Sequence, residues 1–129
     1  MIIDPQARQV SIRVVYYGPA LGGKTSNLRA LKRLLPRGVV GRLMTLESRD
    51  RRTLLLDLLP VNARTDTDHR LRVRLLSVPG QAMHEATRKV LLEDIDGVVF
   101  VADSQHSETA ANNAAFQGLG GVISADLPL

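Results

Sequence analysis

The stretch from Gly18 to Thr25, Gly-Pro-Ala-Leu-Gly-Gly-Lys-Thr, fits the pattern G-x-x-x-x-G-K-S/T and constrains the fold more than any other part of the chain. A strand-like run, Val10–Tyr17, precedes it, and a run with helical spacing follows. Glycines allow several backbone N–H groups to turn toward one anion, and the first amides of a helix are free to donate. The sequence therefore predicts a strand, a phosphate-binding loop and a helix in succession.

Individual residues of this loop have predicted roles in holding a nucleotide. Lys24 is expected to bring a positive charge to the β- and γ-phosphate oxygens, and Thr25 is expected to offer its hydroxyl to Mg²⁺. The other residues of the loop predicted to bind nucleotide are Gly18, Leu21, Gly22, Gly23 and Ser26. The alternative is a glycine-rich turn with an incidental lysine, which the strand and helix on either side disfavour.

Composition limits the class of protein. A chain of 129 residues with 44% hydrophobic residues predicts one domain with a real core. The absence of cysteine excludes disulfides and thiolate metal sites. The sequence contains no run of 18 apolar residues and no signal peptide, so we expect a cytoplasmic protein without a membrane span.

Charge is unevenly distributed along the chain. Residues 1–89 contain all 17 Lys and Arg against 7 acids, whereas residues 90–129 contain 6 acids and no Lys or Arg. A group of basic residues is expected to form the solvated face of one helix: Arg29, Lys32, Arg33 and Arg37. The alternative is that basic side chains offset phosphate charge or meet an acidic partner. Nucleic-acid binding is not predicted, because aromatic residues do not alternate with the basic ones and no reader motif occurs.

Periodicity and turn residues predict alternating strands and helices. The predicted strands cover 9–17, 53–60, 71–75 and 97–103. The predicted helices cover 24–35, 82–92 and 107–117. Residues 38–52 are expected to form a basic connection, and Pro60 is expected to end the second strand. The pattern favours an α/β fold with a mostly parallel sheet flanked by helices.

The carboxyl ends of the predicted strands identify one crevice. Tyr17, Ser77 and Asp103 each lie at or near such an end. Ligands of α/β sheets bind outside the carboxyl ends of the strands. We therefore expect the phosphate-binding loop, the Pro-Gly-Gln turn after Ser77 and the Asp103 region to converge.

Four separated segments carry a more specific resemblance: Tyr16–Leu28, Arg52–Pro60, Ser77–Gln81 and Asp96–Ser104. Together they resemble the MglA family of bacterial gliding-motility Ras-like GTPases. The resemblance implies a P-loop NTPase fold of the Ras/Arf-like G-domain type that binds GTP or GDP with Mg²⁺ and hydrolyses GTP. It also implies a switch that regulates cell polarity or motility, with a roadblock-fold activating partner of the MglB type.

The resemblance also assigns residues outside the phosphate-binding loop. Gln81 matches the glutamine that positions the attacking water, and Arg52 matches the catalytic arginine of the family. Thr53 matches a threonine that can join Mg²⁺, and Gly80 matches a nucleotide-binding glycine. These assignments suit phosphoryl transfer, since that reaction needs positioning and charge neutralisation. For Arg52 the alternative is one more member of a basic loop.

The segment after the third predicted strand departs from ordinary Ras-type GTPases. They carry Asp-x-x-Gly, whose aspartate contacts Mg²⁺ through water, whereas this chain has Ser77-Val-Pro-Gly80. A serine cannot supply that negative charge. One hypothesis is that Asp57 contributes it from the second predicted strand; the alternative is that Asp57 faces solvent at a sheet edge.

Guanine-recognition motifs are a second departure. The sequence contains neither the Asn/Thr-Lys-x-Asp motif nor a later Ser-Ala-Lys-type loop. We therefore expect a C-terminally truncated member of the family, with an open edge at the strand 97–103 and no predicted preference for guanine over adenine. Two alternatives stay open: a non-catalytic nucleotide-responsive interaction module, and another P-loop phosphotransferase or ATPase, which the Val-Pro-Gly-Gln segment disfavours.

Overall fold

The computed structural model describes residues 1–19, 23–47, 55–77 and 95–120. Its strands are β1 (Ile2–Asp4), β2 (Gln9–Tyr17), β3 (Met44–Glu47), β4 (Leu55–Arg64), β5 (Arg70–Ser77) and β6 (Gly97–Phe100). Its helices are α1 (Lys24–Leu34) and α2 (Thr109–Gly120), the second preceded by a short 3₁₀ turn, His106–Glu108.

One mixed sheet contains all of these strands, in the order β1-β2-β5-β4-β3, with β6 also paired to β2. β2 pairs in parallel with both β5 and β6, whereas β1 pairs with β2 in the antiparallel direction. Tyr16 lies beside Ser77 of β5, and Tyr17 lies beside Phe100 of β6. The parallel pairing thus brings the carboxyl ends of three strands to one edge of the sheet.

Hydrophobic clusters cover both faces of this sheet. The cluster on the α2 side is formed by Val15, Tyr17 and Leu76. The cluster on the α1 side is formed by Tyr16, Leu28 and Leu59. Because successive side chains of a strand point to opposite faces, the adjacent residues Tyr16 and Tyr17 belong to different clusters. The two helices therefore pack against opposite faces of the sheet that carries the phosphate-binding loop.

The structure confirms several sequence predictions and corrects others. The predictions of β2, α1 and β5 are confirmed. The prediction that Pro60 ends the second strand is wrong, because β4 continues to Arg64. β3 pairs only with residues 55–58, so Pro60 lies where that partner strand has ended, and its carbonyl accepts a hydrogen bond from the Gly41 N–H at 2.8 Å. Proline is tolerated in a strand at such a position.

Other boundaries also differ from expectation. β1 was not predicted, and β3 lies inside the segment 38–52 that was expected to be a connection. β6 ends at Phe100, not at Asp103, and α2 runs to Gly120. The predicted helix 82–92 lies outside the described residues.

The basic residues of α1 and the turn after it lie in solvent. Arg29, Lys32, Arg33 and Arg37 are all exposed, which agrees with a solvated helix face. Lys32 and Arg33 lie in the last turn, where positive charge is favourable for the helix dipole. Neither helix that the structure describes has the length and apolar character needed to cross a membrane.

Candidate phosphate-binding site

The phosphate-binding loop leaves the sheet at the carboxyl edge of β2 and enters α1. Gly18 and Pro19, at its beginning, are buried. A Cβ atom built on Gly18 would lie 2.0 Å from the carbonyl oxygen of Val101, so this position requires glycine for packing. The Val101 N–H in turn donates to the Tyr17 carbonyl at 2.8 Å. The backbone that follows β6 therefore packs directly against the start of the loop.

The other end of the loop has the backbone geometry expected at an anion site. Gly23 precedes α1 with a φ of 98°, in the left-handed region that favours glycine. Its carbonyl accepts hydrogen bonds from the Asn27 N–H at 3.0 Å and the Asn27 Nδ2 at 2.8 Å. Within the described part of the chain no side chain caps the start of α1, and the first turn of α1 contains no acid. The first amides of α1 therefore keep their capacity to bind an anion.

The side chain of Lys24 lies against the phosphate-binding loop and contacts its backbone. Its side chain is only 7% exposed, and Nζ donates to the carbonyls of Gly18 at 2.9 Å and Pro19 at 2.7 Å. An ammonium group has three N–H donors, and these two hydrogen bonds use two of them. Burial lowers the pKa of Lys24, since desolvation disfavours the charged form. A nearby phosphate would favour that form again.

Thr25, in the first turn of α1, contacts β4 through Asp57. The Thr25 hydroxyl donates to Asp57 Oδ2 at 2.6 Å, and the Thr45 hydroxyl of β3 donates to Asp57 Oδ1 at 2.9 Å. Asp57 also lies opposite Ser77 in the pairing of β4 with β5, and Ser77 is 5% exposed. The carboxylate hypothesised to replace the missing switch aspartate is thus directly beside the loop threonine.

These side chains fit a magnesium ion that also binds phosphate. Mg²⁺ prefers oxygen ligands and is often held by one or two protein groups together with the phosphates of a substrate. The hydroxyl of Thr25 and the carboxylate of Asp57 supply such oxygens at adjoining positions. Across residues 1–19, 23–47, 55–77 and 95–120, no cluster of three or more His, Cys, Asp or Glu forms a separate metal site.

The expected convergence of three strand ends is found in part. Tyr17 and Ser77 lie at the ends of adjacent strands, and Asp103 follows β6 in the loop that supports Gly18. The Asp103 carboxylate, however, accepts a hydrogen bond from the Gln105 N–H at 3.0 Å within its own turn. Its backbone is paired with Asn112 of α2 through two hydrogen bonds of 2.8 and 2.7 Å. Asp103 therefore stabilises the loop and is committed to local contacts.

One of the remaining predicted site residues, Ser26, belongs to the described part of the chain. Ser26 is exposed on α1. The predicted residues that lie outside the described ranges are Leu21, Gly22, Arg52, Thr53, Gly80 and Gln81. Sequence reasoning missed Thr45 because it lies in the unpredicted strand β3. The short alternation from Met44 to Glu47 was the signal that could have revealed that strand.

The fold and site together define a class of protein. A strand, a phosphate-binding loop and a helix stand at the carboxyl edge of the parallel strands in a mixed α/β sheet, as in P-loop NTPases of the G-domain type. A chain from the GTP-bound crystal structure of T. brucei IFT22/74/81 has a similar fold, with a TM-score of 0.53 and 15% identity. The similarity covers 89% of this chain and 59% of that chain. The predicted α/β P-loop fold is therefore confirmed, whereas the described sheet is mixed and not mostly parallel, with three antiparallel and two parallel strand pairings.

Sequence comparison identifies a particular relative. The chain is 38% identical over 117 residues to the mutual gliding-motility protein MglA of Myxococcus xanthus (strain DK1622). The match covers 91% of this chain and 60% of that protein, so the chain spans less than two thirds of its relative's length. No protein-family model matches the sequence. This similarity to MglA agrees with the resemblance that the four sequence segments carry.

Proposed function

We propose that this chain binds GTP and GDP with Mg²⁺ and acts as a GTP-hydrolysing molecular switch of the MglA type in cell polarity or motility. The contact between Thr25 and Asp57 carries the proposal, because it brings a loop hydroxyl and a carboxylate together beside the buried Lys24. The similarity to MglA supports the same function.

Each residue of the site has a defined task in this proposal. Lys24 binds phosphate oxygens with its ammonium group, and the uncapped start of α1 adds backbone N–H donors. Thr25 and Asp57 would hold Mg²⁺, and the bound metal would neutralise charge on the phosphate oxygens. Gln81 orients the attacking water, and Arg52 neutralises charge that grows on the transferred group. The proposed partner is a roadblock-fold activating protein.

Phosphate release tests the hydrolytic part of this proposal. The wild-type chain is expected to release phosphate from GTP, and Gln81→Leu or Arg52→Ala is expected to reduce the rate about 100-fold or more, because each removes a transition-state contact. Labelled-GTP binding should persist in both variants. Gln6→Leu and Arg33→Ala, at exposed positions, serve as matched controls.

Two outcomes would contradict this proposal in different ways. If the wild type binds GTP without hydrolysing it, the non-catalytic interaction module becomes the better description. If ATP competes with labelled GTP as well as unlabelled GTP does, a GTP-specific switch is wrong and a general P-loop nucleotide site remains, which agrees with the expectation of no preference for guanine over adenine.

The role of Asp57 is tested by the magnesium dependence of nucleotide affinity. Chelation with EDTA is expected to weaken nucleotide binding by the wild type about 10-fold or more, because the metal joins the phosphates to the protein. In Asp57→Asn and Asp57→Ala the effect of EDTA should shrink to about 3-fold or less, since the negative ligand is gone. Asp66→Asn, which removes an acid from an exposed turn, should behave as the wild type. An unchanged magnesium dependence in both Asp57 variants would exclude Asp57 from the metal site.

A further inference from the structure

The two oxygens of the Asp57 carboxylate have different partners on different elements. Oδ2 accepts the hydrogen bond from Thr25 at the start of α1, whereas Oδ1 accepts the one from Thr45. Thr45 and Asp57 lie directly opposite each other in the pairing of β3 with β4. Side chains at such opposed positions share one face of the sheet and are close neighbours. The contact is therefore built into the register of the two strands.

We propose that Thr45 is a positioning residue, which orients the Asp57 carboxylate toward Thr25 and the metal. This inference rests on the proposed function. With Oδ1 held by Thr45, the carboxyl plane is fixed and Oδ2 points to the loop threonine. Threonine suits this task, because its branched side chain has few χ1 rotamers. Groups that orient a metal ligand through a hydrogen bond commonly alter metal affinity when they are removed.

The contribution of the Thr45 hydroxyl to magnesium binding can be measured separately from its contribution to folding stability. Thr45 is exposed on β3, which pairs with β4 and no other described strand. Valine has nearly the same shape and favours strands, so Thr45→Val removes the hydroxyl with little change in the sheet. Thr45→Ser keeps a hydroxyl on the same atom position and provides a conservative rescue.

Nucleotide affinity measured across a series of Mg²⁺ concentrations tests the proposal. In Thr45→Val the Mg²⁺ concentration at half-effect should rise about 10-fold, because Asp57 is no longer oriented. Affinity in EDTA should stay within about 2-fold of the wild type, because phosphate contacts do not involve Thr45. Thr45→Ser should lie within about 2-fold of the wild type at every Mg²⁺ concentration. Thr67→Val, which removes a threonine hydroxyl from a distant exposed turn, is the matched control.

A double substitution separates positioning from an independent effect. If Thr45 acts only through Asp57, then Thr45→Val adds nothing further to Asp57→Asn. An additional loss in the double variant would overturn the proposal, as would a magnesium response of Thr45→Val equal to that of the wild type. If instead the wild type itself binds no nucleotide, the proposed function fails and the positioning role fails with it. Urea unfolding of each variant confirms that the comparison is made between folded proteins.

Discussion

Replacing Lys24 by methionine is expected to weaken nucleotide binding about 100-fold, because the variant loses a charged donor to the phosphates. Methionine keeps an unbranched apolar stem of similar length in the buried position. Nucleotide-free protein should change much less, since two effects on its stability oppose each other. The carbonyls of Gly18 and Pro19 lose their donor, while the cost of burying an ammonium group disappears. We expect the Tm without nucleotide to move by less than about 5 °C.

The pH dependence of binding provides an internal control for Lys24. Burial lowers the pKa of Lys24 in the free protein, and bound phosphate raises it again, so binding takes up protons. Nucleotide affinity of the wild type should therefore be greatest below the lowered pKa and should fall as the pH rises through it. In Lys24→Met the part of this fall in affinity that comes from deprotonation of Lys24 should be absent. Titration of the nucleotide itself cancels in the comparison, because both proteins bind the same nucleotide. An equal decline in both proteins would contradict the assignment.

Replacing Gly18 by alanine is expected to destabilise the chain by about 3 kcal/mol, because the new methyl group has no room. Its Cβ would lie 2.0 Å from the Val101 carbonyl oxygen and 3.0 Å from the Val101 carbonyl carbon. Both neighbours are backbone atoms, so the strand end or the loop must shift. Urea unfolding and the Tm measure the effect, with an expected fall in Tm of about 10 °C or more.

Gly38→Ala is the matched control for this substitution. Gly38 follows α1, and no atom lies within 4 Å of the position that its Cβ would occupy. Stability should change by about 0.5 kcal/mol or less at such a site. Equal urea-unfolding midpoints for Gly18→Ala and Gly38→Ala would show that the backbone around Val101 shifts at little cost. The inferred packing requirement for glycine at position 18 would then be wrong.

The phosphate-binding loop was predictable because its chemistry is local in sequence. Gly23 and Lys24 lie in a motif whose spacing fixes their roles, and α1 follows with clear helical periodicity. The fold of Lys24 back onto the Gly18 and Pro19 carbonyls was not predictable, since it depends on the path of the loop in space. A motif therefore predicts which groups would meet a ligand, whereas the contacts of those groups with the rest of the chain depend on the fold.

The neighbours of Asp57 show a different limit. Asp57 became a candidate only because Ser77 stands where ordinary Ras-type GTPases carry an aspartate. No local sequence pattern links position 57 to the loop. Its contacts with Thr25 and Thr45 come from strand pairing and from the packing of α1 on the sheet. The end of β4 was mispredicted at Pro60 for a similar reason. A proline is tolerated inside this strand only because β3 does not pair with β4 at that position, and the sequence does not show where β3 ends. Long-range pairing decides both cases.

The hydrogen bonds between Asn112 and the backbone of Asp103 have a consequence for the phosphate-binding loop. The Asn112 amide presents one donor and one acceptor, as a residue of a neighbouring strand would, and so extends the order of β6 beyond its last paired residue. That extension includes Val101, on which Gly18 rests. The side-chain amide of Asn112 on α2 thus stabilises the backbone against which the start of the phosphate-binding loop packs, and loss of its two hydrogen bonds is expected to loosen that loop.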